Sequence, residues 1–282
     1  QNVPHTVGTL LRQAAAQLAD SPTPMLDARA LFLHVSGLTH ADLIAREAES
    51  VTEDVATRFD ALLAQRRQGA PVAHLVGAQE FYGRLFFVTP HVLIPRPETE
   101  MLVDAALRVM PEGEAVRLLD LGTGSGCLLG TLLAERPQAT GWGVDLSAEA
   151  LNIAERNLDA IGVAPRAHLV EGEFAVAPEG PFDLIISNPP YIEAAADLPP
   201  SVKDHEPSLA LFAGPDGLDA YRALAPLIAT RLAPYGSAFL EIGTGQGTSV
   251  KRLMKDAMPS RAVSVSKDLA GHERMVTIGP AG

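Results

Sequence analysis

Asn188-Pro189-Pro190-Tyr191 packs more potential chemistry into four residues than any other stretch of the chain. Two consecutive prolines fix their own backbone and carry no N–H. What faces a ligand at such an edge is a set of carbonyl acceptors plus the Asn188 amide. An acceptor-rich edge suits a substrate that is itself an NH2 donor. An amide or exocyclic amine is a poor nucleophile because its nitrogen lone pair is delocalised. Acceptors at Asn188 Oδ1 and the Pro189 carbonyl would hold two N–H bonds and aim the lone pair at an electrophile, a positioning effect worth on the order of several kcal/mol. Tyr191 is expected to pack on the flat substrate group. The bland alternative, a proline-rich surface turn, fits poorly with a position directly after an apolar strand-like run, residues 182–187.

A second constellation is Asp120-Leu121-Gly122-Thr123-Gly124-Ser125-Gly126, with Asp145 placed 23 residues after Gly122. Alternate glycines after a strand let the backbone approach a ligand closely. A nicotinamide-dinucleotide loop needs G-x-G-x-x-G or A, and position 127 is Cys. The G-x-G-x-G form instead resembles the S-adenosylmethionine loop of Rossmann-like methyltransferases. A tight strand-to-helix turn without ligand is the competing reading. Asp145, at the end of the next strand, is placed to accept bonds from both hydroxyls of a ribose. It could instead cap a helix, a task for which Ser147 is better placed. With that cofactor the electrophile facing Asn188 is the methyl on a sulfonium. No strong general base is then required, since the positive charge is neutralised as the methyl moves. Glu241-Ile242-Gly243-Thr244-Gly245-Gln246-Gly247 repeats the glycine spacing. It is read as a turn, because only the first copy leads through Asp145 to the NPPY stretch.

These motifs require strands and helices in a particular order. From residue 95 onward the two alternate. Residues 117–121, 141–146, 167–170, 182–187 and 237–242 read as strands, and 127–135, 148–160, 217–232 and a segment ending at 258 as helices. Residues 262–266 and 274–278 read as a terminal strand pair. Such alternation predicts an α/β fold with a doubly wound, mostly parallel sheet that binds ligands at the carboxyl ends of its strands. Residues 1–75 instead read as a small helical bundle, with Thr6 capping its first helix, Pro24 opening the second, and further helices at 40–46 and 52–67. Residues 76–94 are aromatic and partly alternating, and are read as a linking β-hairpin or an extended connector, with a bend at Gly83. The expected domains are therefore 1–75, the 76–94 linker and 95–282.

Composition narrows the function classes. The 282 residues include 22 Lys plus Arg and 34 Asp plus Glu, a net charge of −12. Residues 1–75 hold 6 basic and 8 acidic side chains, and residues 76–282 hold 16 and 26, so the acidity sits in the second part. An acidic chain lacks the field that drives binding to phosphate backbones, which disfavours a nucleic-acid partner. At 47% hydrophobic and 20% charged, the composition is that of a globular protein. A single cysteine, Cys127, excludes an intramolecular disulfide framework and a cysteine-rich zinc site, and is read as a small core residue. The 8 histidines show no metal-ligand spacing; His91 and His205 are read as structural, and no metal is predicted. Trp142 is read as core. No apolar run approaches the ~18 residues of a membrane span, and residues 1–11 lack the pattern of a secretory leader. A cytoplasmic protein is expected.

More extended stretches carry a resemblance. Phe81-Tyr82-Gly83, Leu93-Ile94-Pro95-Arg96-Pro97-Glu98-Thr99-Glu100, Glu206-Pro207 with Ala210-Leu211, Asp216-Gly217-Leu218 with Tyr221-Arg222, and Asp268-Leu269-Ala270-Gly271 join the glycine loop and NPPY. Together they resemble the PrmC/HemK family of peptide chain release factor glutamine methyltransferases, over essentially the whole chain. The resemblance implies methyl transfer from S-adenosyl-L-methionine, with S-adenosyl-L-homocysteine as product, to N5 of the glutamine in the Gly-Gly-Gln motif of class-I release factors. It implies a Rossmann-like catalytic domain behind a helical, substrate-recognising front domain. Gly122, Thr123, Gly124, Ser125, Gly126 and Asp145 would hold the cofactor. Either Glu173 or Phe174 would meet the adenine. Asn188 would touch both cofactor and substrate amide, and Asn188, Pro189, Pro190 and Tyr191 would form the glutamine pocket, with Asn188, Pro189 and Tyr191 carrying catalysis. The PRPETE stretch would lie near the cofactor, or Arg96 and Glu98 would form a structural ion pair. A monomer is expected. The alternative is an N-methyltransferase acting on an exocyclic amine of DNA or RNA, which poses the same electronic problem.

Overall fold

The computed structural model describes residues 5–282; Gln1 to Pro4, the start of the segment read for a leader, lies outside the described residues. The chain forms two compact units, residues 1–78 with 199–205 and residues 79–198 with 206–282.

The first unit is helical: α1 Val7–Gln17, α2 Pro24–Ser36, α3 His40–Ala45, α4 Glu53–Arg67 and α5 Val72–Val76. Its helix starts follow from local chemistry. Thr6 and Thr52 accept from the amides of Thr9 and Val55, Thr39 and Asp42 form a reciprocal capping box, and Pro24 opens α2. Leu10, Leu11, Ala14, Leu31, Phe32, Phe59 and Leu63 make its core, with Phe32 and Phe59 edge to face at 5.5 Å. Asp27 is buried and held by Arg66 at 2.9 Å, Ser21 at 2.7 Å and Thr23 at 2.9 Å.

The hairpin β1 Ala78–Phe81 and β2 Arg84–Phe87 comes next, with all but Ala78 in the second unit. Its two-residue turn places both Tyr82 (φ 51°) and Gly83 (φ 73°) in the left-handed region, as a hairpin turn of matching twist demands. Tyr82 pays that conformational cost with two bonds, its N–H to Glu100 Oε1 at 2.8 Å and its hydroxyl to Asp104 at 2.8 Å. Both acceptors lie on α6 Glu100–Val109. Sequence reading passed over this helix and α5, although Leu102, Val103 and Ala106 share one buried face.

Strands and helices then alternate: β3 Arg117–Leu121, α7 Cys127–Glu135, β4 Thr140–Asp145, α8 Ala148–Ala160, β5 Ala167–Glu171 and β6 Phe182–Ser187. The short helix α9 Pro200–Lys203 belongs to the first unit; the second continues with α10 Ser208–Leu211, α11 Asp219–Arg231, β7 Leu232–Glu241, α12 Gly247–Ala257, β8 Arg261–Lys267 and β9 Glu273–Ala281. The sheet order is β5-β4-β3-β6-β7-β9-β8. The first five strands run parallel, and β9 and β8 close the sheet antiparallel. This is the doubly wound α/β fold expected. Strand β7 starts five residues earlier than expected, with a register irregularity opposite β6 that accommodates Pro234.

Alternate strand residues face opposite layers. Leu118, Leu184, Ile186 and Phe239 pack with α6, α7 and α8, while Leu119, Leu121, Ile185 and Leu240 pack with α11 and α12. The chain runs outward from β3 through β4 to β5, then returns to β6 on the other side of β3. The switch point therefore lies between the carboxyl ends of β3 and β6, where ligands bind in such sheets.

Candidate active site

A cavity of about 1040 Å³ opens at that switch point. The glycine loop leaves β3 and the NPPY stretch leaves β6, so the sheet brings both motifs to its wall. Gly122, Gly124 and Gly126 all take positive φ (77°, 54° and 79°), which only glycine adopts without strain. Gly126 also passes so close to α8 that a Cβ there would lie 3.2 Å from the Ala154 side chain. The loop is held by Asp145, whose Oδ2 accepts the Gly124 N–H at 2.8 Å and whose Oδ1 accepts the Ser147 N–H at 3.0 Å. Ser147 itself caps α8. Asp145 still borders the cavity, as do Gly122, Thr123, Gly124 and Ser125.

Below the loop, Asp120 is completely buried and accepts the Thr123 hydroxyl at 2.8 Å through Oδ2, while its Oδ1 has no hydrogen-bond partner among the described residues. Burial pushes its carboxyl up to about 7, against the Thr123 bond, and the nearby Asp145 charge adds to the rise. Asn157, also buried, accepts the Phe87 N–H at 2.7 Å and donates to Phe87 O at 3.0 Å and Ser125 O at 2.8 Å. It thereby ties the loop to the hairpin strand β2. Cys127 borders the cavity, and burial of its sulfur pushes the thiol up to about 12, so it is neutral and no nucleophile. Glu173 and Phe174 both line the wall. Glu173 is exposed, whereas the Phe174 ring packs on the core and lies 3.9 Å from where a Gly122 Cβ would stand.

Asn188 and Pro190 line the other end, with Thr99 and Pro95 of the PRPETE stretch. Asn188 Nδ2 donates to Thr99 Oγ1 at 3.4 Å, and the Thr99 hydroxyl donates to Glu241 Oε1 at 2.6 Å. Asn188 Oδ1 is buried without a hydrogen-bond partner among the described residues. Tyr191 is not among the lining residues. Its ring packs on the core and its hydroxyl donates to Glu241 Oε2 at 3.2 Å. Burial, reinforced by the Glu241 charge, pushes the Tyr191 phenol up, so it keeps its proton. Burial also pushes Glu241 up, opposed first by the Thr99 hydroxyl and then by Arg274. Pro189 is buried beside them.

Arg96 pairs with Glu206, not with Glu98; Glu206 Oε2 also accepts the Ile94 N–H at 3.0 Å. The second glycine stretch is a turn in which Gln246 accepts the Gly243 N–H at 2.8 Å and donates to Tyr191 O at 2.9 Å. It therefore braces NPPY rather than forming a second loop site. His91 lies on the cavity wall, and Trp142 stacks on His168 at 5.0 Å and meets Phe182 edge-on. Thr99, Glu241, Gln246 and Asn157 were not foreseen as site residues. Thr99 stood inside a recognised motif, and Glu241 and Gln246 stood in the discounted glycine copy.

The family model for the PrmC N-terminal domain matches residues 9–77, and that for the methyltransferase small domain matches residues 99–202. The release factor glutamine methyltransferase of Rhodospirillum rubrum is 42% identical over 95% of this chain and 83% of its own. That of Cereibacter sphaeroides is 47% identical over 89% of each chain. The chain belongs to the release factor glutamine methyltransferase family. Solved structures bear on the fold alone. The ribosomal protein L11 methylase of Lactobacillus delbrueckii superposes with a TM-score of 0.51 at 18% identity, covering 72% of this chain and 90% of that one. A Pyrococcus furiosus methyltransferase gives 0.52 at 16%, covering 79% and 98%. The family's methyl donor is S-adenosyl-L-methionine. The site fits it: a glycine loop open to close approach, a carboxylate at the end of β4, an aromatic ring beside Gly122 and an unpartnered acceptor on Asn188 all border one cavity. Among the described residues, no helix is long and apolar enough to cross a membrane.

Proposed function

We propose that this chain methylates N5 of the glutamine in the Gly-Gly-Gln motif of class-I peptide chain release factors, with S-adenosyl-L-methionine as donor, and so modulates translation termination. One observation carries the reading: Asn188 Oδ1, on the cavity wall, is a buried acceptor with no partner among the described residues. Leaving such an atom unpaired costs about 1–3 kcal/mol, a cost that a substrate N–H removes.

When bound, the cofactor supplies an electrophilic methyl on a positively charged sulfur. Gly122, Thr123, Gly124, Ser125 and Gly126 form the loop against which it sits, and Asp145 takes the ribose hydroxyls. Phe174 offers its face to the adenine, with Glu173 at the rim. Asn188 Oδ1 and the Pro189 carbonyl accept the two N–H bonds of the glutamine amide. The missing N–H groups of Pro189 and Pro190 remove donors that would otherwise compete for the substrate or repel it. Fixing the NH2 group in this way turns the nitrogen lone pair toward the methyl and contributes on the order of several kcal/mol through orientation. The amide nitrogen forms one N–C bond, the C–S bond breaks, and one amide proton leaves to solvent. Pro190 walls the glutamine pocket, while Tyr191, packed on the core, braces it through Glu241. Release factors work in the cytoplasm, where the reaction is assigned.

The test offers labelled methyl donor in parallel to a release factor, duplex DNA and ribosomal RNA. Label on the Gly-Gly-Gln glutamine is expected. Label confined to the nucleic acids would overturn the reading in favour of exocyclic-amine methylation, which the acidic second part, with 16 basic against 26 acidic residues, disfavours.

A further inference from the structure

We propose that Thr99 and Glu241 are positioning residues that decide which end of the Asn188 amide meets the substrate. The inference rests on the amide-acceptor reading of the site given above.

An asparagine amide has an oxygen at one end and NH2 at the other, nearly identical in shape and opposite in hydrogen-bonding sense. Only the oxygen end accepts a substrate N–H; the other end would confront NH2 with NH2. Shape cannot choose between these orientations, so a hydrogen-bond partner must. Thr99 is 1% exposed and Glu241 2%. The Thr99 hydroxyl carries one hydrogen and stands between Glu241 Oε1 at 2.6 Å and Asn188 Nδ2 at 3.4 Å. Two hydroxyls, Thr99 and Tyr191, donate to the two oxygens of Glu241 and favour its ionised form against the rise that burial imposes on the carboxyl. Ionised Glu241 only accepts, so in that form it commits the Thr99 hydrogen to itself. The Thr99 oxygen is left as an acceptor, and only the NH2 end of Asn188 matches it. Oδ1 is thereby left without a protein partner and available to the substrate.

Glu241 is itself fixed. Its backbone carbonyl accepts the Tyr221 hydroxyl, and it is paired with Met275 in the β7–β9 ladder. The same carboxylate thus holds the first residue of NPPY through Thr99 and the last directly. Gln246 holds the Tyr191 carbonyl from the glycine turn that follows.

The test compares the parent with Thr99→Val, Thr99→Ser and Glu241→Gln, measuring kcat and release-factor KM together with cofactor Kd. Val keeps the shape of Thr and removes the relay. Ser keeps the hydroxyl. Gln at 241 can donate to Thr99, freeing its hydrogen to turn toward Asn188 and favour the reversed amide. Thr99→Val and Glu241→Gln are expected to lower kcat at least ~10-fold, with cofactor Kd within ~3-fold of the parent and Thr99→Ser within ~3-fold in kcat. The two damaging changes combined should be little worse than either alone, because they break one relay. A Thr99→Val enzyme with parental kcat, or a Thr99→Ser enzyme as impaired as Thr99→Val, overturns the positioning role while the parent still labels the release factor. A parent that leaves the release factor unlabelled overturns the functional reading itself.

Discussion

Asp120 makes the stability of the cofactor-free protein depend on pH in an unusual direction. Its carboxyl is wholly buried at the end of β3, with one oxygen on the Thr123 hydroxyl and the other unpartnered. Burial raises it from 3.8 to about 7. The folded state therefore holds a proton that the unfolded chain has already released across this interval. The sign follows from linkage: the folded state binds more protons, so stability falls as pH rises from about 4 to about 7, then levels off. The interval spans about three pH units at about 1.4 kcal/mol each, which gives a loss of ~4 kcal/mol as an order of magnitude.

Asp120→Asn keeps the shape and the acceptor for Thr123 but cannot ionise. It adds a buried NH2 at a cost of about 1–3 kcal/mol that does not vary with pH. The discriminating quantity is thus the slope. Thermal or urea unfolding of parent and variant, without cofactor, is followed at pH 5, 6, 7 and 8. Two of those three units, about 2.7 kcal/mol, lie between pH 5 and 7, so at about 2–4 °C per kcal/mol for a unit of this size the melting difference, variant minus parent, should rise by roughly 5–11 °C between pH 5 and 8. Parallel profiles for the two proteins would refute the reasoning, because they would show that Asp120 does not hold its proton in the folded state.

Asn188→Ala is expected to reduce methyl transfer at least ~100-fold with an unchanged melting profile; a fully active variant would remove Asn188 from the mechanism. Asp145→Ala loses charge-assisted bonding worth about 1.5–3 kcal/mol in total and also frees the Gly124 N–H, so titration calorimetry should find cofactor binding weaker by ~10–100-fold. Phe174→Ala should lose roughly 1–3 kcal/mol of cofactor affinity, the scale of base–aromatic stacking, whereas Glu173→Ala should stay within ~3-fold; the reverse ranking would assign the adenine contact to Glu173. Asn157→Ala strands three backbone groups, on Phe87 and Ser125, and should lower stability by ~3 kcal/mol or more, with hydrogen exchange accelerating at β2 and the glycine loop together.

Which parts of this molecule could be read from its sequence follows from the range of the forces involved. The glycine loop was legible because positive φ is a local demand that glycine alone meets cheaply. NPPY was legible because consecutive prolines delete donors wherever they stand. Strand β6 was legible because a strand covered on both faces reads as the apolar run FDLIIS. Helix α6 was passed over between two motifs, although the spacing of Leu102, Val103 and Ala106 carried its signal. The relay from Asn188 through Thr99 to Glu241 was beyond local reading, since Thr99 and Glu241 are 142 residues apart. Strand order supplies what local pattern lacks. Residues β6 Ser187 and β7 Leu240 are register partners, so the next residue on each strand, Asn188 and Glu241, must emerge side by side at the carboxyl edge. A buried carboxylate emerging beside a reactive amide is a candidate for orienting it. The glycine repeat after β7 reads as a turn because only the first copy leads through Asp145 to NPPY. That judgement on the loop leaves the strand-end residue that begins the repeat untouched: Glu241 earns its place through the neighbour the sheet gives it.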